Sequence, residues 1–335
     1  MSDPAVSVIL PTYKRVQLLK RAIDSVCAQT FDDWELIVID DGPSHDGTDR
    51  LVAGYGRRHG GRIVFIEQPN QGCNAARNAG IEAARGRYLA FLDADDEFKP
   101  AKLQRQLELF RLRPDLGLVF CDFSFVDLQG RFHDSVFDVD APLARQVPYQ
   151  EVAPGLRVCA PSLFEYLIRQ YFIATIVGLV RRDMLADDIR FYVDNLYGRT
   201  EWMFYLDLSR RCRVGYVDEP LAVNHFVKGS ISRTSRIRNS IDHRSLLRTM
   251  RSRYDDCSAE ARHAIREQLA YTCRQLGMHS YKLFEYGAAA RYFGEALCVE
   301  FDGTTVVYMM QSIARWISRF GRPGHEPRLR VSTQQ

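Results

Sequence analysis

The sequence predicts an α/β protein: a mostly parallel sheet with helices on both faces, followed by an α-helical region. Three observations predict it. Short apolar runs alternate with helix-period segments through the first hundred residues. Each run ends in a polar or turn-forming cluster. From about residue 241 the pattern becomes helical almost to Phe320. Strands buried on both faces read as continuous apolar runs, so this alternation marks a parallel sheet covered by helices.

Residues 6–10 are the first β-branched run, closed by Pro11. Val16, Leu19, Ile23 and Val26 then recur at spacings of three and four, which predicts a helix. Residues 35–39 predict the second strand, ended by the turn chemistry of Asp40-Asp41-Gly42. A helix over 48–58 and a strand over 62–66 follow, the latter stopped by Pro69. A helix over 74–85 closes at Gly86, and a strand over 88–92 ends in Asp93-Ala94-Asp95-Asp96. The middle third predicts a helix at 102–112, a strand at 118–125, a strand at 172–180 and a helix at 202–210. Residues 132–161 contain four prolines and read as irregular.

The chain has 335 residues, 46% hydrophobic and 26% charged, an ordinary folded composition. This excludes a wholly disordered chain, a collagen-like fibre and a small disulfide scaffold. A net charge of only +3 gives no argument for nucleic acid. The eight cysteines form no C-x-x-C pair, which speaks against a structural zinc and for reduced thiols. The opening MSDPAVSVILPTYKR has no basic segment ahead of its apolar run, so a secretory signal is not expected. The longest apolar stretch, 171–180, is about half of a membrane span. The expected location is the cytoplasm, with peripheral contact at the inner face of a membrane left open. Residues 210–253 hold eleven Lys or Arg against three Asp or Glu, which suits either a solvated face or an anionic surface.

Ligands of parallel sheets bind outside the carboxyl ends of the strands. Pro11-Thr12-Tyr13, Asp40-Asp41 and the Asp93–Asp96 cluster all fall there. Carboxylates crowded at a strand end repel one another and persist best when a hard cation neutralises them. Asp96 alone could instead cap the helix that follows Lys99-Pro100-Ala101. Asp40 or Asp41 could accept from a ribose hydroxyl or a base N–H, or simply form the turn. The first strand carries no G-x-G-x-x-G turn and the chain no P-loop, which argues against a dinucleotide oxidoreductase and a P-loop enzyme. In the helical region, Leu276-Gly277, Ala289, Phe293 and Ala296 match tetratricopeptide offsets without a second copy, which favours an ordinary helical hairpin.

VSVILPTYKR, QTFDDWELIVIDDGPSHDGT and NQGCNAARNAGIEAARGRYLAFLDADD, in this order, resemble the family 2 glycosyltransferases of the GT-A fold. The resemblance spans roughly residues 5–230. It implies inverting transfer of a sugar from a nucleoside diphosphate sugar, UDP-linked by expectation, to a hydroxyl acceptor. That acceptor would be a saccharide or lipid-linked, with a role in cell-surface polysaccharide or glycolipid assembly. By the resemblance, Pro11, Thr12 and Tyr13 line the nucleotide, Asp41 or less readily Asp40 meets the base, and Arg77 reaches toward the nucleotide. Asp93 and Asp95 match the D-x-D pair that holds Mn²⁺ or Mg²⁺, Asp95 the more direct ligand, with His225 as a further candidate. Lys228 and Arg233 are candidate diphosphate contacts. Glu201 stands where the family places its catalytic Asp, with Thr200 replacing the preceding Glu; Asp194 and Asp207 are the alternatives.

The implied organisation is a GT-A domain over residues 1–235, a helical region over 236–320 and a disordered tail over 321–335. The domain divides into a nucleotide-binding half to about residue 100 and an acceptor half beyond it. The basic C-terminal helices are the candidate membrane contact, and no nucleic-acid partner is expected. A sugar nucleotidyltransferase is one alternative, although its Gly-rich loop after the first strand is missing. A catalytically weak sugar-nucleotide sensor or scaffold is another, kept open by Glu201 in place of Asp.

Overall fold

The computed structural model describes residues 3–43, 45–185, 189–193, 201–227 and 236–320. The chain divides into two compact units, Met1–Thr234 and Ser235–Gln335. The first begins with β1 (Val6–Thr12), α1 (Val16–Cys27), β2 (Trp34–Asp41), α2 (Thr48–Arg58), β3 (Ile63–Gln68), α3 (Cys73–Ala83) and β4 (Tyr88–Phe91). Every residue of β1 and β2 is buried, which is why their centres read as unbroken apolar runs. β1 pairs in parallel with β2 and β4, and β2 in parallel with β3. The helices between them supply the crossovers that parallel strands require. α3 lies close on the sheet because Gly80 has no room for a Cβ against Ile9 and Ile39.

The unit continues with β5 (Glu97–Phe98), α4 (Lys102–Leu112), β6 (Leu116–Val126), β7 (Phe132–His133), α5 (Val136–Val139), β8 (Tyr149–Ala153) and β9 (Leu156–Cys159). It closes with α6 (Leu163–Arg169), β10 (Leu179–Arg181), α7 (Glu201–Arg211) and β11 (Arg213–His225). The sheet order is β3-β2-β1-β4-β10-β6-β11-β9-β8, with β5 on β11 and β7 on β6. β10 runs antiparallel to both β4 and β6, while β6 and β11 are parallel. The result is a mixed, mostly parallel sheet flanked by helices, the GT-A architecture.

Two sequence expectations change. Residues 132–161 are not irregular throughout, since they hold β7, α5, β8 and β9. The strand expected over 172–180 shrinks to a short 3-10 turn at Thr175–Val177 and the three residues of β10. Side chains take the carbonyls a longer ladder would use. Tyr205 Oη donates to Thr175 O at 3.1 Å, and Gln106 Nε2 donates to Val177 O at 2.8 Å.

At the other end of the sheet, buried Glu35 ties three elements together. It accepts from Ser7 Oγ at 2.6 Å, from Arg85 N and Nε at 2.9 Å each and from Arg85 Nη2 at 2.6 Å. Ser7 Oγ in turn accepts from Gly86 N at 2.8 Å. Burial would raise the Glu35 carboxyl, but these hydrogen bonds more than offset it and hold the group below the usual Glu range.

The second unit consists of α8 (Arg236–Arg253), α9 (Ala259–Lys282), α10 (Tyr286–Val299) and α11 (Gly303–Phe320). α9 and α10 form the helical hairpin. A Cβ on Gly277 would stand 2.7 Å from the Phe293 ring, so only glycine lets that ring seat there. Ala289 and Ala296 are buried on the same helix as Phe293.

Glu35→Gln should lower the unfolding free energy by about 1–3 kcal/mol in urea titrations, because a carboxylate with four donors loses its charge-assisted bonds. The contribution is present above the unfolded Glu range and is lost as pH falls through the depressed folded value. A variant as stable as the parent at neutral pH would contradict this network.

Candidate active site

The parallel pairing of β1, β2 and β4 brings three strand ends to one edge. Thr12 pairs with Asp40, Asp41 pairs with Gln68, and Ile9 pairs with Phe91, two residues before Asp93. The three polar clusters of the sequence therefore share one rim, as expected for ligand sites of such sheets.

At the β1 end, Pro11 is part of the strand and Thr12 is buried, with its Oγ1 lacking a hydrogen-bond partner. A buried hydroxyl at a strand end is a place for a ligand to bind. Tyr13 is 40% exposed and packs over Gly42, whose φ of +119° favours glycine and where a Cβ would stand 3.1 Å from the ring. Asp40 is buried in β2. Asp41 accepts from Gln68 Nε2 at 2.8 Å, Gln71 N at 2.9 Å and Gly72 N at 2.8 Å. Its main work is to hold the loop that starts α3. A base N–H would meet this carboxylate only at its remaining lone pair.

α3 carries the charge at the centre. Arg77 is 5% exposed. It donates from Nη1 to Asn74 Oδ1 at 2.7 Å and from Nη2 to Asp93 Oδ1 at 2.5 Å. Its guanidinium lies 5.3 Å from the Phe191 ring centre, and its Nε is buried without a partner. Burial pulls the guanidinium down, but the Asp93 carboxylate, with Cys73 and Glu201, more than reverses this and holds it firmly protonated. Asn74 and Asn78 also fasten α3 to the 189–193 segment through the Tyr192 and Phe191 carbonyls, at 2.9 Å each.

Glu201 opens α7. Tyr171 Oη donates to Glu201 Oε1 at 2.8 Å. Burial first and Glu201 second push the Tyr171 phenol well above its ordinary range, so it remains a donor. The helix is anchored by Trp202 Nε1 to Leu167 O at 2.7 Å and by Phe204 stacked on Phe191 at 4.2 Å. Phe191 thus touches both the Arg77 guanidinium and the helix that carries Glu201. Asp93 is in direct contact with Arg77, while the Glu201 carboxylate acts on the guanidinium only through its charge at longer range.

The acid cluster after β4 divides its roles. Asp95 pairs with Arg15, while Arg21 donates to the Asp95 carbonyl. Burial and the neighbouring Asp93 raise the Asp95 carboxyl, and Arg15 opposes them. Asp96 is buried and raised further, by burial, Asp93 and Asp95. It does not cap α4: it accepts from Asn224 Nδ2 at 3.0 Å and His225 N at 2.9 Å, and so fixes β11 against this loop. His225 Nε2 lies 2.7 Å from Glu97 Oε1. Among the described residues no three His, Cys, Asp or Glu are grouped as a ready metal site. In this structure the His225 ring, a candidate ligand, is engaged with Glu97. Asp93 and Asp95 fit a hard cation in donor chemistry, since two crowded oxygen ligands leave positions for phosphate oxygens and water. Asp207 lies within α7. Asp194, Thr200, Lys228 and Arg233 lie outside the described residues.

Residues 7–167 match the model of a family described as Glycosyl transferase family 2. The chain carries a family 2 glycosyltransferase domain. Bacillus subtilis TuaG, named for teichuronic acid biosynthesis, is 40% identical over 126 residues, 36% of this chain and 46% of that protein. The curated relatives are matched over 20% to 46% of their own lengths. Among solved structures, S. aureus TarS 1-349 in complex with UDP-GlcNAc aligns over 94% of this chain and 89% of its own. That alignment has a TM-score of 0.65 at 19% identity. The mannosyltransferase PcManGT from Pyrobaculum calidifontis, in complex with GDP-Man and Mn2+, aligns over 96% and 88% at 17% identity with a TM-score of 0.57. These neighbours share the GT-A fold.

Sequence reasoning missed Asn74, Arg15 and Tyr171. Asn74 and Arg15 left a signal: Asn74 precedes Arg77 by three on a helix, and Arg15 follows the first strand end directly. Tyr171 left none, because its contact with Glu201 spans 30 residues.

Asp95→Asn should hold or raise the melting temperature at neutral pH. The folded state raises this carboxyl, so its stabilising contribution is complete below the unfolded Asp value and lost as pH rises through the folded one. The gap between variant and parent should close as pH is lowered. A variant that melts earlier at neutral pH would overturn this electrostatic reading.

Proposed function

We propose that the chain is an inverting glycosyltransferase. It moves a sugar from a nucleoside diphosphate sugar, UDP-linked, to a hydroxyl acceptor in the assembly of a cell-surface polysaccharide or glycolipid. The observation that carries the reading is the buried Arg77–Asp93 pair at the edge where β1, β2 and β4 end, with Phe191 packed between Arg77 and the helix that opens with Glu201. The family, the polysaccharide role in TuaG's name and the UDP-GlcNAc complex of a fold neighbour support it.

In this reading Tyr13 offers an exposed ring to stack on the base and Thr12 Oγ1 finds its missing partner on the nucleotide. Asp41 keeps the Gln71–Gly72 loop in place. Asp93 and Asp95 would hold a divalent cation, Mn²⁺ or Mg²⁺, which supplies charge neutralisation for the departing diphosphate. Arg77 fixes Asp93 and adds positive charge beside it. Glu201 takes the proton of the acceptor hydroxyl as its oxygen bonds to the anomeric carbon, while the bond to the diphosphate breaks and its electron pair leaves with the phosphate. A single displacement of this kind inverts the anomeric centre. Tyr171 holds Oε1, which leaves Oε2 to accept the proton.

Glu201→Gln should lower turnover by roughly 10²–10⁴-fold, the usual value of a general base. Donor binding measured by calorimetry should change little. Turnover that survives in Glu201→Gln but fails in Asp207→Asn or Asp194→Asn would mean that the base is misassigned.

Tyr171→Phe should lower kcat by roughly tenfold, the scale of one hydrogen bond to a charged group, with the donor KM unchanged. A change in KM alone would assign Tyr171 to donor binding instead.

A further inference from the structure

The second unit ends in an apolar tip with basic flanks. The turn between α9 and α10 presents Leu283 and Phe284, 53% and 59% exposed. Phe284 has a φ of +63°, where L residues other than Asn and Asp are uncommon and glycine is the usual helix terminator. A phenyl group held outward on a strained backbone is a costly choice for a mere stop signal. The C-terminal half of α11 lies at the same end. The Arg315 guanidinium stands 4.9 Å from the Tyr281 ring centre and 5.7 Å from that of Tyr286, the residues flanking the turn. Trp316 rests on Gly287, where a Cβ would come within 3.0 Å of the indole nitrogen, and stays half exposed. Ile317, next to it, is 59% exposed.

Charge decides what this tip meets. Residues 235–335 contain sixteen Lys or Arg and ten Asp or Glu, a net +6 in a chain of +3. α11 carries Arg315 and Arg319 and no acid. Lys282 and Arg315 adjoin the apolar tip, with Glu285 as the one acid of the turn. In a two-fold contact between copies the same patch faces itself, so these cations would oppose each other. A bilayer of anionic phospholipid neutralises them, takes an indole at its headgroup level and buries Leu, Phe and Ile side chains below it.

We infer that Leu283, Phe284, Trp316 and Ile317, with Lys282 and Arg315, form a docking surface for an anionic phospholipid membrane. It goes beyond the transfer reaction and stands independently of it.

Co-sedimentation of the full chain with phosphatidylcholine vesicles, with and without phosphatidylglycerol, tests it at low and high salt. The expected result is binding that requires phosphatidylglycerol and weakens with salt. Phe284→Gly should bind roughly tenfold more weakly, as expected for removing one buried aromatic ring. Its melting temperature should hold or rise, because glycine relieves the positive φ. Ile317→Ser should weaken binding in the same direction. Release of UDP from a UDP-sugar, measured without vesicles, should be unchanged in both variants, which separates this surface from the donor site. Equal binding to neutral vesicles, or unchanged binding in both variants, would overturn the inference. Concentration-dependent dimers in light scattering that both variants abolish would assign the tip to a second copy and overturn it as well.

Discussion

The site depends on one buried cation. Arg77 sits on α3 with Asp93 on its Nη2, Asn74 on its Nη1 and Phe191 at its face. A guanidinium out of water needs partners in fixed directions, and its planar fork imposes those directions on them. The loop after β4, the start of α3 and the aromatic wall under α7 are thereby referred to one group. Asp41 works to the same end by fixing the loop that leads into α3, and Gly80 lets that helix lie directly on β1 and β2. The geometry of this rim thus follows from the close seating of a single helix.

Charge repulsion is the counterpart of that anchor. Asp93, Asp95 and Asp96 stand within four residues, and burial makes their repulsion stronger than it would be in water. The protein answers with Arg77 for Asp93, Arg15 for Asp95 and neutral donors for Asp96. Arg15 and Asp95 both remain partly exposed, whereas Arg77 is buried against Asp93.

The parallel half of the fold was legible because fully buried strands produce unmistakable runs, and because their polar ends coincide in register. Pro11, Asp41 and Asp93 could be placed at one edge from that pattern alone, whereas Arg77 came only with the family resemblance. The second half was less legible for a physical reason. Its strands pair antiparallel or across long separations, and side chains such as Gln106 and Tyr205 replace backbone partners, so the apolar run at 172–180 reads as strand while folding largely as a turn. Local sequence leaves a helix cap open for Asp96, because capping depends on near neighbours, whereas its partners come from β11, more than a hundred residues away. Tyr171 beside Glu201 was invisible for the same reason. In the helical unit the reverse held: Gly277 and Phe293 carried a hairpin signal in their spacing, since helix–helix seating needs a small residue under a large one.

The central claim is that the rim where β1, β2 and β4 end binds a nucleoside diphosphate together with a divalent cation. Calorimetric titration of UDP into the full chain, in Mn²⁺ and again in chelator, tests it most directly. The account predicts binding in Mn²⁺ that weakens sharply when the cation is removed. Equal affinity in the two conditions, or no binding in either, would contradict it.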